Sequence, residues 1–522
     1  MNNINFVNNV NNVNDGILHE YSEYINHIND VAYKDIYMLS NPSLSKNPYS
    51  GSTLLENLLQ HKKRTKKYGK TLFVRSATTF YVKNLFYLLI WLIHFGYAKF
   101  FIKIPVKKIN HQVVLVDTFF GKSQTNESME FEDPFFKGLY SILDQYDIDY
   151  VLLPNIFGVN SSIVDGVSIL RYLSKIKCNV VTEYDVLDSS DIFKIIQFIF
   201  KYPYRASQLT RLVKNEKNID NLFLYDLNAT IAKTSFHAYV KYLFGKKLKF
   251  KYRDSQIKLI SWCENQTIDK NFYKGIRSKN THIYGCQFFI KYPICQSHYI
   301  SDNEKIFGIT PDTTLVTGKY YVPEKSCHVY KIGPAFRYRD IYNHVVTKHI
   351  DNDGAILVML SYIEKDAFDM IDLLKNVPQL DHYTVHLKIH PNHRQSMYKY
   401  EKYINIQKWK MIDHIDNFKG YSVVITSGSG SAMEFAAMGL SVIILATTTL
   451  IANPMPDYGK GIIWELTDSS SGIWDAYGRL VKQRDVNKGE LYKLSKSYKE
   501  NFFSSVDDEI AIRNFDLDEF VK

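Results

Sequence analysis

Between an apolar, β-branched run, Val423 to Ile425, and a helix-forming stretch, Ala432 to Met438, stand Thr426-Ser-Gly-Ser-Gly-Ser431. A strand that turns on small residues straight into a helix leaves the helix's first N–H groups without intrahelical partners, at the positive end of its dipole. Ser427, Gly428, Ser429, Gly430 and Ser431 therefore make a cradle suited to a phosphate, with hydroxyls added to the backbone donors. Glycines alone would serve a tight turn equally well; the three serines and Glu434 point further. Glu434, in the first turn of the helix, is placed to accept from ribose hydroxyls, or else to act as a helix N-terminal charge. Upstream, the alternating strand Val385-His-Leu-Lys-Ile389 ends in His390-Pro391. Pro391 forces the chain out of the sheet, so His390 points into a cleft, where it can donate to a phosphate oxygen. Lys388 shares its strand face and adds charge, and Arg394 is a weaker candidate.

A second reactive group lies in the first half. The segment Ser261-Trp-Cys-Glu-Asn-Gln266 follows a strand. Glu264 at a strand end is placed to be a base or nucleophile, with Asn265 and Gln266 as binders of sugar hydroxyls; the alternative for Glu264 is a plain surface carboxylate. Trp262 is either a stacking platform or core. Tyr284-Gly-Cys-Gln287 ends the next strand, which puts Gln287 on the same cleft. In Gly333-Pro-Ala-Phe-Arg-Tyr338, Arg337 can neutralise a phosphate or a sugar carboxylate with its fork of donors, or make a structural salt bridge. Gly121-Lys122-Ser123 mimics the end of a P-loop, but residue 116 is Val where the Walker spacing needs Gly. Asp147-Ile-Asp149 and Asp351-Asn-Asp353 resemble metal-binding pairs only superficially. With no His/Cys cluster, neither metal nor other cofactor is expected.

These residues need sheets to hold them. Strand patterns at Val113–Val116, Tyr150–Leu153, Asn179–Val181, Lys258–Ser261 and His282–Tyr284 alternate with helical stretches. The alternation restarts after Pro311 with Leu315-Val316, Ala355–Leu360, Val385–Ile389, Val423–Thr426 and Val442–Leu445. Such alternation predicts parallel α/β sheets, whose ligands bind at strand carboxyl ends. The expected organisation is a helical N-terminal extension over 1–110, a Rossmann-like domain carrying the catalytic and acceptor side over 111–305, a nucleotide-donor domain over 306–465, and C-terminal helices over 466–522.

At 522 residues the chain exceeds one ordinary core. Hydrophobic content of 45% with 23% charged residues excludes a disordered protein. The five cysteines form no Cys-x-x-Cys pair, which argues against a disulfide framework and for a reducing compartment. The net charge of +10 suits an acidic partner. Its densest run, His61 to Lys67, precedes the apolar, aromatic stretch Asn84 to Ile102. That stretch is either a buried helix or a peripheral element on an anionic membrane surface. His94, Gly96 and Lys99 argue against a true span. No signal-peptide pattern opens the chain, so the expected location is cytoplasmic, peripheral on the inner face of the cytoplasmic membrane. Dispersed lysines elsewhere argue against nucleic acid as a partner.

The pair Lys388-Ile-His-Pro391 and Thr426-Ser-Gly-Ser-Gly-Ser-Ala-x-Glu434 resembles the second domain of bacterial GT-B enzymes of surface-polysaccharide assembly. These include Kdo transferases, sialyl- and polysialyltransferases, and CDP-glycerol glycerophosphotransferases. Trp-x-Glu-Asn-Gln, Tyr-Gly-x-Gln and Gly-Pro-Ala-x-Arg-Tyr are similar to a surface-carbohydrate-biosynthesis family. The resemblance implies a GT-B-like fold, two Rossmann-like domains facing a cleft, with no catalytic metal. It implies donor phosphate and ribose on His390, Ser427, Ser429 and Ser431. The implied reaction moves an acidic sugar, Kdo or another ulosonic acid, from a CMP-activated donor to a glycan or glycolipid acceptor of capsule, O-antigen or lipooligosaccharide. Glu264 would act at the anomeric centre or on the acceptor hydroxyl, and His390 would stabilise the departing phosphate. The alternatives are glycerophosphate transfer or sugar-nucleotide epimerisation on the same fold, and, in another class, a non-catalytic membrane-associated scaffold.

Overall fold

The computed structural model describes residues 32–47, 70–102, 111–125, 131–214, 221–292, 298–346, 354–390, 393, 397–404, 409–412, 414–415, 418–446 and 453–521. Pro391, Arg394 and the basic run at 61–67 lie outside them.

Two parallel sheets organise the chain. The first comprises β1 (Gln112–Phe120), β2 (Tyr150–Ile156), β3 (Gln256–Trp262), β4 (Thr281–Gln287), β5 (Thr313–Val316) and β6 (Val329–Ile332), in the order β2-β1-β3-β4-β5-β6. The second comprises β7 (Ala355–Met359), β8 (Val385–Lys388), β9 (Trp409–Ile412), β10 (Tyr421–Thr426), β11 (Ser441–Leu445) and β12 (Trp464–Thr467), in the order β12-β11-β10-β7-β8-β9. Every pairing is parallel. Strands β10 and β11 are buried along their whole length, as strands covered on both faces must be. The alternation predicted two such parallel sheets, and the GT-B-like pairing of Rossmann-like sheets is the one the resemblance implied.

Strand order locates the crevices. Read from its own first strand, the second sheet runs 3-2-1-4-5-6, the dinucleotide-fold order, and it reverses between β7 and β10. The first sheet reverses between β1 and β3. Helices leave to opposite faces at such a point, so a crevice opens at the strand carboxyl ends. Thr426 closes β10 and Trp262 closes β3, which puts the Ser-rich turn and the Glu264 segment at the two crevices.

The expected boundary near 305 needs correction. β5 pairs with β4 through Tyr284↔Thr313, and β6 pairs with β5, so both belong to the first sheet. The change of sheet falls between Ile332 and Ala355. Pro311 breaks the pattern without ending the domain, because the crossover from β4 through the helix Asp302–Ile306 returns the chain to the next position of the same sheet. Asn179–Val181 contributes only a single bridge, Leu152↔Val180, rather than a strand. The C-terminal segment also does more than trail: Ala511, Ile512, Phe515 and Phe520 bury themselves with Val114, Ile260 and Tyr284 against the first sheet.

One helix, Lys70–Phe101, absorbs the aromatic stretch at 84–102. Phe80, Leu88, Trp91 and Ala98 pack in the N-terminal core, and Asn84 on that side donates to Thr234 O at 3.2 Å and accepts from Phe236 N at 3.0 Å. The opposite side exposes Val74, Val82, Leu85, Phe86, Leu89, Ile93, Phe100 and Phe101. Helix length and composition are sufficient to cross a membrane, yet the packed side and its buried Asn84 are bound to protein.

Candidate functional site

On the second sheet, buried Ser427 follows the end of β10, and the helix Ser431–Met438 starts four residues later. Ser429 shapes the turn: its N–H donates to Ser427 O at 2.6 Å and its O accepts from Ala432 N at 3.1 Å. Its hydroxyl accepts from Ser431 Oγ at 3.0 Å. The remaining turn residues, Gly428, Gly430 and Ser431, are half-buried rather than sealed. Gly430 touches the first domain, since a Cβ placed there would stand 3.1 Å from Ile290 Cβ. The helix ends on Gly439 at φ +101°, a left-handed cap that a side chain would strain. Glu434 lies one turn in. Burial pushes its carboxyl above the usual range, and Arg337, from the segment between the two sheets, pulls it back.

Across the junction, Glu264 is held by two donors: Trp262 Nε1 to Oε1 at 2.9 Å and Gln266 Nε2 to Oε2 at 2.7 Å. Trp262 is itself locked between aromatic neighbours, with Phe135 at 4.7 Å between ring centroids, so the carboxylate is positioned by core rather than by a loop. The segment bends at Asn265, fully buried with φ +58°; Asn is among the few side chains that tolerate this region. Arg337 is exposed, its guanidinium carbon 5.8 Å from the Trp262 ring and 5.7 Å from that of Tyr338. Trp262, Glu264, Arg337 and Glu434 thus form a polar line from one sheet to the other.

Other predicted residues sit apart from this line. His390 follows β8, two strands from β10, roughly 10 Å at ordinary strand spacing. It neighbours Tyr362 and His393, ring centroids 6.1 and 6.3 Å away. Burial lowers its pKa, and His393 and Lys388 lower it further. It is therefore neutral near pH 7, one ring nitrogen a donor and the other an acceptor. Lys388 is half-buried at the end of β8, which stops two residues before His390. Gln287 is fully buried, and its amide donates to His298 O at 2.9 Å.

Three features escaped sequence reading. Asp269, buried, accepts from Glu264 N at 3.1 Å and Gln266 N at 2.9 Å. It thereby caps the helix Thr267–Ile276 and holds the Glu264 segment at once. Burial pushes it up to about 8, with Asp117 and Glu264 adding repulsion. The Gln266-Thr-Ile-Asp269 spacing resembles a capping box, a local signal that could have found it. Next, Asp117 of β1 pairs with Lys241 at 3.0 Å and accepts from Ser261 Oγ at 2.8 Å, both inside the first domain. Finally, a cavity of about 290 Å³ lies between the 70–101 helix and the ends of β1 and β2, lined by Trp91, His94, Asn155, Glu183, His237 and Gln266 among others. Glu183 accepts from Trp91 Nε1 at 2.6 Å and burial raises its pKa. No local motif announces a cavity built from elements so far apart in the chain.

No protein-family model matches the chain, and no curated protein sequence is similar to it. Among solved structures it is similar to MurG of Acinetobacter baumannii, at 9% identity over 78% of this chain and 99% of that one, TM-score 0.42. It is also similar to S. aureus MnaA with UDP, at 12% identity over 76% and 94%, TM-score 0.38. A glycosyltransferase from Rickettsia africae gives 11% over 79% and 100%, TM-score 0.38. Likeness at this depth transfers no activity. Function rests instead on strand order and on the residues at the two crevices.

Proposed function

We propose that this chain transfers a sugar from a nucleotide-activated donor to a glycan acceptor. The carrying observation is the place of Ser427–Ser431: a Ser/Gly turn at a helix N-terminus, at the switch point of a parallel sheet, touching the other domain through Gly430. An anion held there lies within the junction, and Glu264 stands on the opposite wall.

In this reading the serine hydroxyls and the turn N–H groups other than that of Ser429 hold the donor phosphate, and Glu434 accepts from the ribose. Glu264, fixed by Trp262 and Gln266, takes the acceptor's proton or acts at the anomeric centre. His390, with Lys388, stabilises the departing phosphate from the end of β8, two strands from β10 on the same sheet. Arg337 favours a negatively charged sugar, which supports a CMP-activated ulosonic acid such as Kdo as donor and a bacterial surface glycan as product. Domain roles follow the sheets: acceptor on the first, donor on the second. The exposed apolar side of the 70–101 helix supports peripheral attachment to an anionic membrane, where a glycolipid acceptor would reside.

Incubation with CMP-Kdo, CMP-sialic acid, CDP-glycerol and UDP-GlcNAc, with nucleotide release followed for each, tests the donor. Release from a CMP-sugar is expected. Release only from UDP-GlcNAc would overturn the CMP-sugar reading in favour of an epimerase or a UDP-sugar enzyme, and release from none would favour a scaffold.

A further inference from the structure

Four lysines are buried among the described residues: Lys46, Lys241, Lys270 and Lys291. Three have a carboxylate within contact: Lys46 with Glu304 at 3.1 Å, Lys270 with Glu304 at 2.7 Å, and Lys241 with Asp117 at 3.0 Å. Lys291 has none. It is 2% exposed, and its Nζ makes no hydrogen bond. What surrounds it is aromatic: the rings of Tyr299, Tyr330 and Tyr321 lie 4.7, 5.3 and 5.9 Å from Nζ. Rings attract an ammonium but accept no hydrogen bond along its N–H directions, so three donors stay unmet. An ammonium in that state is costly enough that it releases its proton, and burial pushes Lys291 down to about 7.

The same residues wall a cavity of about 460 Å³. Lys291 and the three rings line it, and Tyr320, Lys325 and Ser326 continue it outward. Tyr320 is 46% exposed. The cavity has the dimensions of a monosaccharide site, and its chemistry is narrow. A carboxylate placed on Nζ would draw the proton back onto Lys291, one positive charge against one negative, with exposed Lys325 left at the mouth. Tyrosine faces suit the C–H faces of a pyranose, and phenol and serine hydroxyls suit its hydroxyls.

We propose that the Lys291 cavity binds a carboxylated sugar, with the carboxylate on Lys291 Nζ and the ring against Tyr299, Tyr321 and Tyr330. The site lies near the junction but is separate from the Ser-rich turn: Lys291 directly follows Ile290, the residue that Gly430 touches. The inference rests on the sugar-transfer reading for its ligand class. A free acidic sugar and an acidic residue within a glycan chain share this chemistry.

The test is calorimetric titration of the full chain with glucuronate and N-acetylneuraminate, with their methyl glycosides, and with glucose, N-acetylglucosamine and acetate. CMP is titrated in parallel. The expected result is that the acidic sugars bind at least tenfold tighter than the neutral ones and acetate, and that Lys291→Met removes that preference while CMP affinity stays unchanged. Tighter binding of the methyl glycosides would assign the site to a chain residue, and of the free acids to a monosaccharide; either supports the inference. Equal binding of neutral sugars, equal binding of acetate, or acid binding that survives Lys291→Met would overturn it. Should Lys291→Met fail to fold, Tyr320→Ala at the exposed mouth is expected to weaken the acids at least threefold, and no weakening would count against the site. If CMP binds and the acids do not, this inference fails and the transfer reading stands. If the acids bind through Lys291 and CMP does not, the reverse holds.

Discussion

Asp269 offers a perturbation whose effects on fold and chemistry separate. Asp269→Ala removes the acceptor of two backbone N–H bonds, from Glu264 and Gln266. At about 1 kcal/mol each, and with a helix cap lost, destabilisation of about 2–3 kcal/mol is expected in urea unfolding. The Glu264 segment loosens with it, and a displacement of about 1 Å at a reacting group costs about 100-fold in turnover. CMP affinity should not change, because the Ser-rich turn belongs to the other sheet. Asp269→Asn keeps an acceptor oxygen, so its turnover should stay within about tenfold of wild type. The pH dependence has a definite sign. The native carboxyl is raised from 3.8 to about 8, so its stabilising form is the protonated one, complete below 3.8 and lost as pH rises towards 8. Wild type should therefore lose stability relative to Asp269→Asn between pH 5 and 7, by up to about 1.4 kcal/mol per pH unit. A stability difference flat with pH would refute the burial argument. Turnover of folded Asp269→Ala equal to wild type would refute the positioning argument.

The same geometry sets three other outcomes. Glu264→Gln keeps the bond from Trp262 but cannot take a proton, so transfer should fall by about 100-fold or more with CMP affinity intact, in a nucleotide-release assay. Charging the exposed face with Leu85→Glu and Phe86→Glu should abolish cosedimentation with anionic vesicles, while the thermal midpoint stays within about 2 °C because neither residue is in the core. Glu304→Gln strips the one carboxylate shared by buried Lys46 and Lys270 and should cost about 3–5 kcal/mol in denaturant unfolding.

What could be read from the chain depended on how local the information was. Val423 to Leu445 is a contiguous βαβ unit, so pattern alone placed the Ser-Gly turn, its helix and both strands correctly. Glu264 at the end of β3 was legible for the same reason. β6 and β9 were not: each has only four residues, too few to show a period. The restart after Pro311 was misassigned because periodicity reports that a strand exists and says nothing of which sheet it joins. The Lys46–Glu304–Lys270 cluster and the Lys291 cage were out of reach, since both are assembled by tertiary packing alone. The 70–101 helix shows the mixed case. Its apolar content was plain, but which side meets protein and which solvent depends on partners far along the chain.

If the Ser427–Ser431 turn holds the donor's phosphate at the junction of the two sheets, nucleotide binding must quiet that turn before any other part of the chain. Amide hydrogen exchange of the full chain, with and without saturating CMP, addresses this directly. Slowed exchange is predicted in peptides spanning Thr426–Met438, with little change across the helix Ser470–Val486. Protection confined to the cavity beneath the 70–101 helix, with 426–438 exchanging as before, would contradict it.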